Sequence, residues 1–258
     1  MLRICMSLVF VMLVNPAFAS ETSEAKGLRI AKETDQFNEG FAGETSTMEM
    51  ILINAHGDET VRKMDSKVLE QADDGDRSII TFQWPNDVKG TKMLTWTHKK
   101  ENDDQWLYLP SLKRVKRISS RNKSGSFMGS EFAYEDLGSQ EVEKYTYNWL
   151  RDEDLAGRKH WVMERFPTDK RSGYSKQVTW IDQEYRQVRK IDFYDRKGEL
   201  LKTFSFEGYT QFGKYWRANQ IEAVNHQTQK RSKLTWNNRK LGTAPPKDSF
   251  SKDALEDF

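Results

Sequence analysis

From Thr45 to Asn237 one pattern keeps returning, and it limits the fold more than any other feature of the chain. Short runs place apolar side chains at every second position, and polar turns separate the runs. Met48, Met50 and Leu52 begin the series, with Glu49, Ile51 and Ile53 between them. Ile80, Phe82 and Trp84 share one side of 77–84, and Leu94 and Trp96 share one side of 92–98. The runs 142–150, 158–166, 174–182, 186–195, 199–209, 214–225 and 230–237 continue it, with Tyr174, Lys176, Val178 and Trp180 expected on one side of theirs. A period of two is the signature of a strand with one dry face. Asp73-Asp74-Gly75-Asp76 and Asp195-Arg196-Lys197-Gly198 read as hairpin turns, because Asp and Gly tolerate tight backbone geometry. About a dozen strands at such spacing predict a mainly β protein, an antiparallel meander.

A sheet dry on one side must cover that side. The sequence offers one amphipathic helix, residues 23–39, in which Leu28, Ala31, Thr34 or Asp35, and Phe37 or Phe41 recur at helical spacing before Gly40 ends it. The segment 126–137 is a second candidate for cover. The tail beyond Gly242 is expected to cover a rim or hang loose, with a short capping helix over 251–258. So little cover for so wide a sheet implies a curved sheet around a partly filled hollow, or a barrel closed on itself.

Residues 1–19 read as a signal peptide: Arg3, an apolar run from Ile4 to Val14, and Ala17-Phe18-Ala19 before the expected cleavage. The single cysteine, Cys5, lies inside it, and Ser20 stands where a lipoprotein carries its anchoring cysteine. The expectation is a single domain over 20–258, exported to the periplasm, not membrane-integral and not a lipoprotein. We expect a monomer. The 41 basic and 39 acidic residues nearly balance, so net charge selects no partner.

The chemistry-bearing motifs are few. A mature chain without cysteine has no thiolate chemistry. His56, His98, His160 and His226 stand singly, without metal-ligand or triad spacing. Gly125 to Ser130 lacks the adjacent Lys-Ser/Thr pair and the following helix of a phosphate loop. No cofactor, metal or catalytic group is expected. A run of cations, Lys113, Arg114, Lys116 and Arg117, reads either as a solvated strand or as a docking patch for anionic lipid headgroups or an acidic partner. Export argues against nucleic acid. Phe127 and Met128 in a Ser/Gly-rich loop either tuck under the sheet as a plug or meet a ligand.

Trp106 to Gly138 is the most distinctive stretch: an aromatic strand, Trp106-Leu107-Tyr108-Leu109-Pro110-Ser111, then Lys116-Arg117-Ile118, the loop Ser126-Phe127-Met128-Gly129-Ser130, and Tyr134-Glu135-Asp136-Leu137. With the signal peptide and the N-terminal helix, it resembles the outer membrane lipoprotein-sorting proteins related to the periplasmic carrier LolA, in the branch associated with RND/MMPL transporters. The resemblance implies a LolA/LolB-like unclosed antiparallel β-barrel with an N-terminal helix and short lid helices on the concave side. It also implies a cavity for lipoprotein acyl chains or lipids, transfer towards the outer membrane and a possible inner-membrane RND/MMPL-type exporter as partner. A periplasmic lipoprotein sensor of the same fold is the alternative. We expect Phe82, Trp84, Leu94, Trp96, Trp106 and Tyr108 to line the cavity, with Phe127, Met128 and Phe132 at the lid. An arginine holds the lid of the carrier shut, and we carry over no counterpart of it to this sequence.

Overall fold

The computed structural model describes residues 21–256, so the expected signal segment lies outside the described residues. The helix α1 spans Ser23–Asn38, and Thr22 caps it by accepting a hydrogen bond from the Ala25 N–H at 3.2 Å. Five residues on, β1 (Gly43–Ile53) and β2 (Glu59–Leu69) form a long hairpin, followed by β3 (Arg77–Trp84), β4 (Lys92–Trp96), β5 (Asp104–Leu109) and β6 (Arg114–Ile118). After a stretch without regular strands come β7 (Tyr145–Leu155), β8 (Arg158–Pro167), β9 (Tyr174–Asp182), β10 (Gln187–Asp195) and β11 (Leu200–Glu207). A small ribbon of β12 (Thr210–Phe212) and β13 (Tyr215–Arg217) precedes β14 (Gln220–Asn225) and β15 (Arg231–Leu241).

Thirteen of these strands make one antiparallel sheet in the order β6-β5-β4-β3-β2-β1-β15-β14-β11-β10-β9-β8-β7. The chain's middle strands, β6 and β7, are therefore the two free edges, and β15 closes onto β1. This is an unclosed barrel.

Directly paired residues share a face, so the register separates two walls. The inner wall holds Met48, Met50, Met64, Phe82, Met93, Leu107, Ile191, Phe193, Phe204 and Ala223 in one cluster with Phe127 and Phe132 from the 119–141 segment. Farther along the same face, α1 lies on β7 and β8, burying Ile30 and Ala31 against Val142, Tyr147, Met163 and Ile181. A Cβ on Gly27 would come within 3.0 Å of the Trp149 amide nitrogen, so only glycine lets the helix approach β7 this closely. The helical face differs from the expected one by a residue: Gly27, Ile30 and Ala31 are buried, and Leu28 points out.

The outer wall is dry in two places. Val162, Val178 and Trp180 pack with Leu155 and Tyr194. Tyr174 does not join them, because the β9–β10 register shifts between Tyr194 and Asp195 and returns Tyr174 to the inner cluster. The second dry patch comprises Leu69, Ile79, Leu94, Trp106 and Tyr108, covered by Phe250 and Leu255 of the C-terminal tail. The tail thus neither hangs loose nor covers a rim. It seals the outer face through 3-10 turns at Lys247–Phe250 and Asp253–Leu255.

Candidate functional site

The inner wall is continuous, but the chain itself fills it. Residues 126–133 form a miniature hairpin: the Phe127 N–H donates to the Phe132 carbonyl at 2.7 Å, and the Ser130 N–H to the Phe127 carbonyl at 2.9 Å. Met128 takes a left-handed backbone at its tip. This turn drives two phenyl rings into the sheet, leaving Phe127 2% and Phe132 4% exposed. Phe127 packs on Phe82 at 5.9 Å and Tyr134 at 5.8 Å between ring centres, and Phe132 packs on Phe204 at 5.2 Å. Met128 packs against the same cluster, partly buried. Of the two readings of Phe127, the tucked one describes this state.

The backbone groups that this turn leaves unpaired must find hydrogen-bond partners outside it. Lys202 on β11 supplies the central one. Its ammonium lies 2.6 Å from the Asp136 carboxylate and 2.8 Å from the Glu131 carbonyl, and the paired side chains are only 4% and 5% exposed. The Tyr174 hydroxyl donates to the other Asp136 oxygen at 2.8 Å. Burial, with the Asp136 carboxylate beside it, pushes the Tyr174 phenol well above its ordinary range, so it remains a donor. Asn225 donates to the Glu131 carboxylate at 2.7 Å, and Ser232 accepts from the Glu131 N–H. Gln105 donates to the Tyr134 carbonyl at 2.8 Å. Arg62 donates to the Met128 carbonyl. At the outer shoulder Glu135 accepts from Ser172 and the Gly173 N–H, both at 2.8 Å; burial pushes Glu135 up in spite of these bonds.

Around this filler remain hollows with mixed walls. One of about 460 Å³ borders Phe132, Ala133, Tyr174, Lys202 and Asn225. A second, about 290 Å³, lies in the seam between the free edges, among Gln105, Ile118, Lys123, Tyr145 and Pro167. A third, about 360 Å³, separates the end of α1 from residues 137–141 and is lined by Asp35, Asp76, Glu141 and Arg217. No histidine borders any of the three. His98 pairs with Asp74 at 2.6 Å, and the His160 Nδ1–H donates to the Arg158 carbonyl at 2.8 Å. Among the described residues no cluster of three or more His, Cys, Asp or Glu could hold a metal ion, and no helix is long and apolar enough to cross a membrane.

The six residues expected to form one cavity wall do not share a face. Phe82 belongs to the inner cluster. Leu94, Trp96, Trp106 and Tyr108 belong to the outer one, where Trp96 donates to the Phe250 carbonyl at 2.8 Å and Lys252 sits over the Trp106 ring. Pairing of Met93 with Leu107, and of Leu94 with Trp106, sends the two sets to opposite sides. Trp84 lies beyond a register shift at the end of β3 and is 49% exposed. The expected cation patch is divided too: Lys113, Arg114 and Lys116 are exposed, whereas Arg117 pairs with Asp104. Sequence reasoning missed Lys202, though the signal was there: a lone cation in register with Phe204 and Phe206 on a dry stripe.

Three solved structures share this architecture. An outer membrane lipoprotein-sorting protein domain from Vibrio parahaemolyticus is 51% identical, with a TM-score of 0.88 over 90% of this chain and 99% of that one. A DUF1329 family protein from Desulfovibrio piger is 27% identical, with a TM-score of 0.86 over 91% and 99%. A LolA superfamily protein from Nitrosomonas europaea, at 21% identity, shares the fold with a TM-score of 0.70 over 88% and 98%. A family model described as "Uncharacterized protein" matches residues 74–257. No curated protein matches the chain. With an unclosed barrel, a helix and a loop filling its inner face, and half its residues shared with the Vibrio domain, the chain belongs to the outer membrane lipoprotein-sorting protein family and has the LolA-like fold.

Proposed function

We propose that this protein is a periplasmic carrier whose inner wall receives acyl chains of lipoproteins or lipids when the 126–133 hairpin leaves it. One observation carries the reading: a continuous apolar wall is closed by two phenyl rings on a loop rather than by regular structure. A ring leaving the wall exposes apolar surface worth about 25 cal/mol per Å². An acyl chain taking its place recovers that energy at about 0.8 kcal/mol per methylene. The cost of displacing the rings offsets part of the gain from the acyl chain, which suits a carrier that must also release its cargo. A chain bound in a permanently empty, dry cavity would leave only slowly. The family resemblance adds delivery towards the outer membrane and an inner-membrane RND/MMPL-type exporter as the donor.

The test is native mass spectrometry of the protein purified from membranes-containing extracts, together with competition between a fluorescent fatty acid and unlabelled lipid. Bound lipid and competitive displacement are expected. Absence of both sinks the carrier reading.

A further inference from the structure

The turns joining β3 to β4 and β5 to β6 lie side by side at one end of the sheet. The strand ends pair there, Lys92 with Tyr108 and Leu109 with Arg114, and a Cβ on Gly90 would meet the Pro110 ring at 3.2 Å. These two turns carry the two most exposed large apolar side chains of the described residues, Leu112 at 62% and Trp84 at 49%. Around them stand Lys89, Lys113, Arg114 and Lys116, exposed and without an ion-pair partner among the described residues, against the single carboxylate of Asp87. β6 is a free edge, and cations on it discourage pairing with another sheet. Edge protection gives no reason to leave an indole and a leucine in water beside them.

The opposite end of the same strands is the more acidic, with Glu70, Asp73 and Asp74 in the β2–β3 turn and Glu101 and Asp103 beside Lys99 and Lys100 in the β4–β5 turn. The chain is nearly neutral overall, and the turns that join β3 to β4 and β5 to β6 form the basic end of these strands. Cations at headgroup level, with an indole and a leucine reaching past them, are the chemistry that recognises an anionic bilayer surface.

We propose that the end of the half-barrel bearing Trp84 and Leu112 docks on membranes rich in anionic phospholipid. Each cation there strengthens attachment about 5-fold, and the apolar pair adds a part that salt does not screen. The Met128 tip of the inner hairpin lies at this same end, since the Gly129 backbone approaches Leu52 at the end of β1 and Arg62 holds the Met128 carbonyl. Docking would therefore bring the filled inner wall to the bilayer. The docking surface itself does not depend on what that wall binds.

The experiment is co-sedimentation of the full chain with vesicles of phosphatidylcholine alone and of phosphatidylcholine mixed equally with phosphatidylglycerol, over a range of salt. Binding only to the anionic vesicles is expected. Lys113→Ala with Lys116→Ala should weaken it about 30-fold at low salt. Leu112→Ser with Trp84→Ala should remove the fraction that survives high salt. Leu28→Ser, at an exposed leucine on α1, should change nothing. Unaltered thermal melting shows that the variants fold. Equal binding to both vesicle types, binding to neither, or variants that bind like the parent would overturn the proposal. Capture by an acidic protein without vesicle binding would overturn it too.

Discussion

Two pieces of chain fill the same inner face, and they do so by opposite means. The helix α1 satisfies its own backbone, needs only its end caps, and contributes a narrow apolar stripe, Gly27, Ile30 and Ala31, against β7 and β8. The segment from Ser119 to Glu141 has no such internal ladder. Beyond its own turn bonds, its remaining backbone groups and its acidic side chains are satisfied by Lys202, Tyr174, Asn225, Ser232, Gln105 and Ser172, all from the sheet or its turns. The helix would keep its bonds wherever it lay. The loop keeps its turn bonds but has these contacts to the sheet only while docked, and must exchange them for water to leave. One filler belongs to the architecture, and the other is held in place by a small number of identifiable contacts.

The sharpest way to break this contrast is to remove one half of its central contact. Lys202→Met leaves Asp136 buried without a counter-charge, and about 4 kcal/mol of stability should be lost, read as a lower urea midpoint. Lys202→Met combined with Asp136→Leu should recover part of that loss, because the unpaired charge is gone. The Tyr174 hydroxyl, the Ala133 N–H and the Glu131 carbonyl stay without these partners. If the single variant is as stable as the parent, the loop is not held by this pair.

Next in size is Phe132→Ala, expected to cost about 3 kcal/mol through the cavity it leaves beside Phe204. It should also make the 119–141 segment cleavable by protease before the sheet unfolds, whereas Ile30→Ala on the helix should lower the midpoint without early cleavage there. Equal early cleavage in both variants would erase the distinction between the two fillers.

Gly27→Ala gives a smaller effect with a diagnostic sign. Alanine favours an isolated helix by about 1 kcal/mol. Here its Cβ would press on the Trp149 and Asn148 amide nitrogens at 3.0 and 3.1 Å, and backbone cannot yield cheaply. A net loss of about 1 to 2 kcal/mol is expected. A gain would show that α1 sits less tightly than its geometry implies.

A further effect, read against pH, lies where the fillers meet. Burial, with Glu141, Glu39 and Glu143 nearby and Lys99 opposing, raises Asp35 to about 6. Burial, with Glu141, Glu70 and Asp35 nearby and a hydrogen bond from the Gln71 N–H opposing, raises Asp76 to about 7. In this window the folded state binds more protons than the unfolded chain, so stability falls as pH rises through about 6 to 7. Asp169 and Asp182 are both lowered to about 2, and their opposite slope is confined to more acidic pH. Melting temperature followed from pH 5 to 8, roughly the span of these shifts, should decline, and Asp76→Asn should flatten the curve. A flat curve in the parent would show that the cavity between α1 and residues 137–141 is better hydrated than its lining suggests.

Much of the architecture could be read from the chain without coordinates. The helix was expected at 23–39 and lies at Ser23–Asn38. The expected run 174–182 coincides with Tyr174–Asp182, and the Asp195–Gly198 turn closes β10 onto β11. Local pattern suffices for these, because caps, turns and alternation are properties of neighbouring residues. Wall assignment was different. The run 92–98 announces that Met93 and Leu94 face opposite ways but not which way is in, and both sides of this part of the sheet are dry.

Alternation and turn chemistry alone determined that this chain makes a wide antiparallel sheet with too little helix to cover it, since these depend on contacts a few residues apart. Tertiary structure decided the rest. It put Phe250 and Leu255 over Trp106 and Tyr108, so that the residues expected in a cavity became an outer core. It also brought Lys202 to Asp136 across 66 residues of sequence, fixing the loop that fills the inner wall. Such choices depend on which distant segment reaches an apolar face first and best, and on whether a buried charge finds its counter-ion there. Neither is written in any short window of sequence.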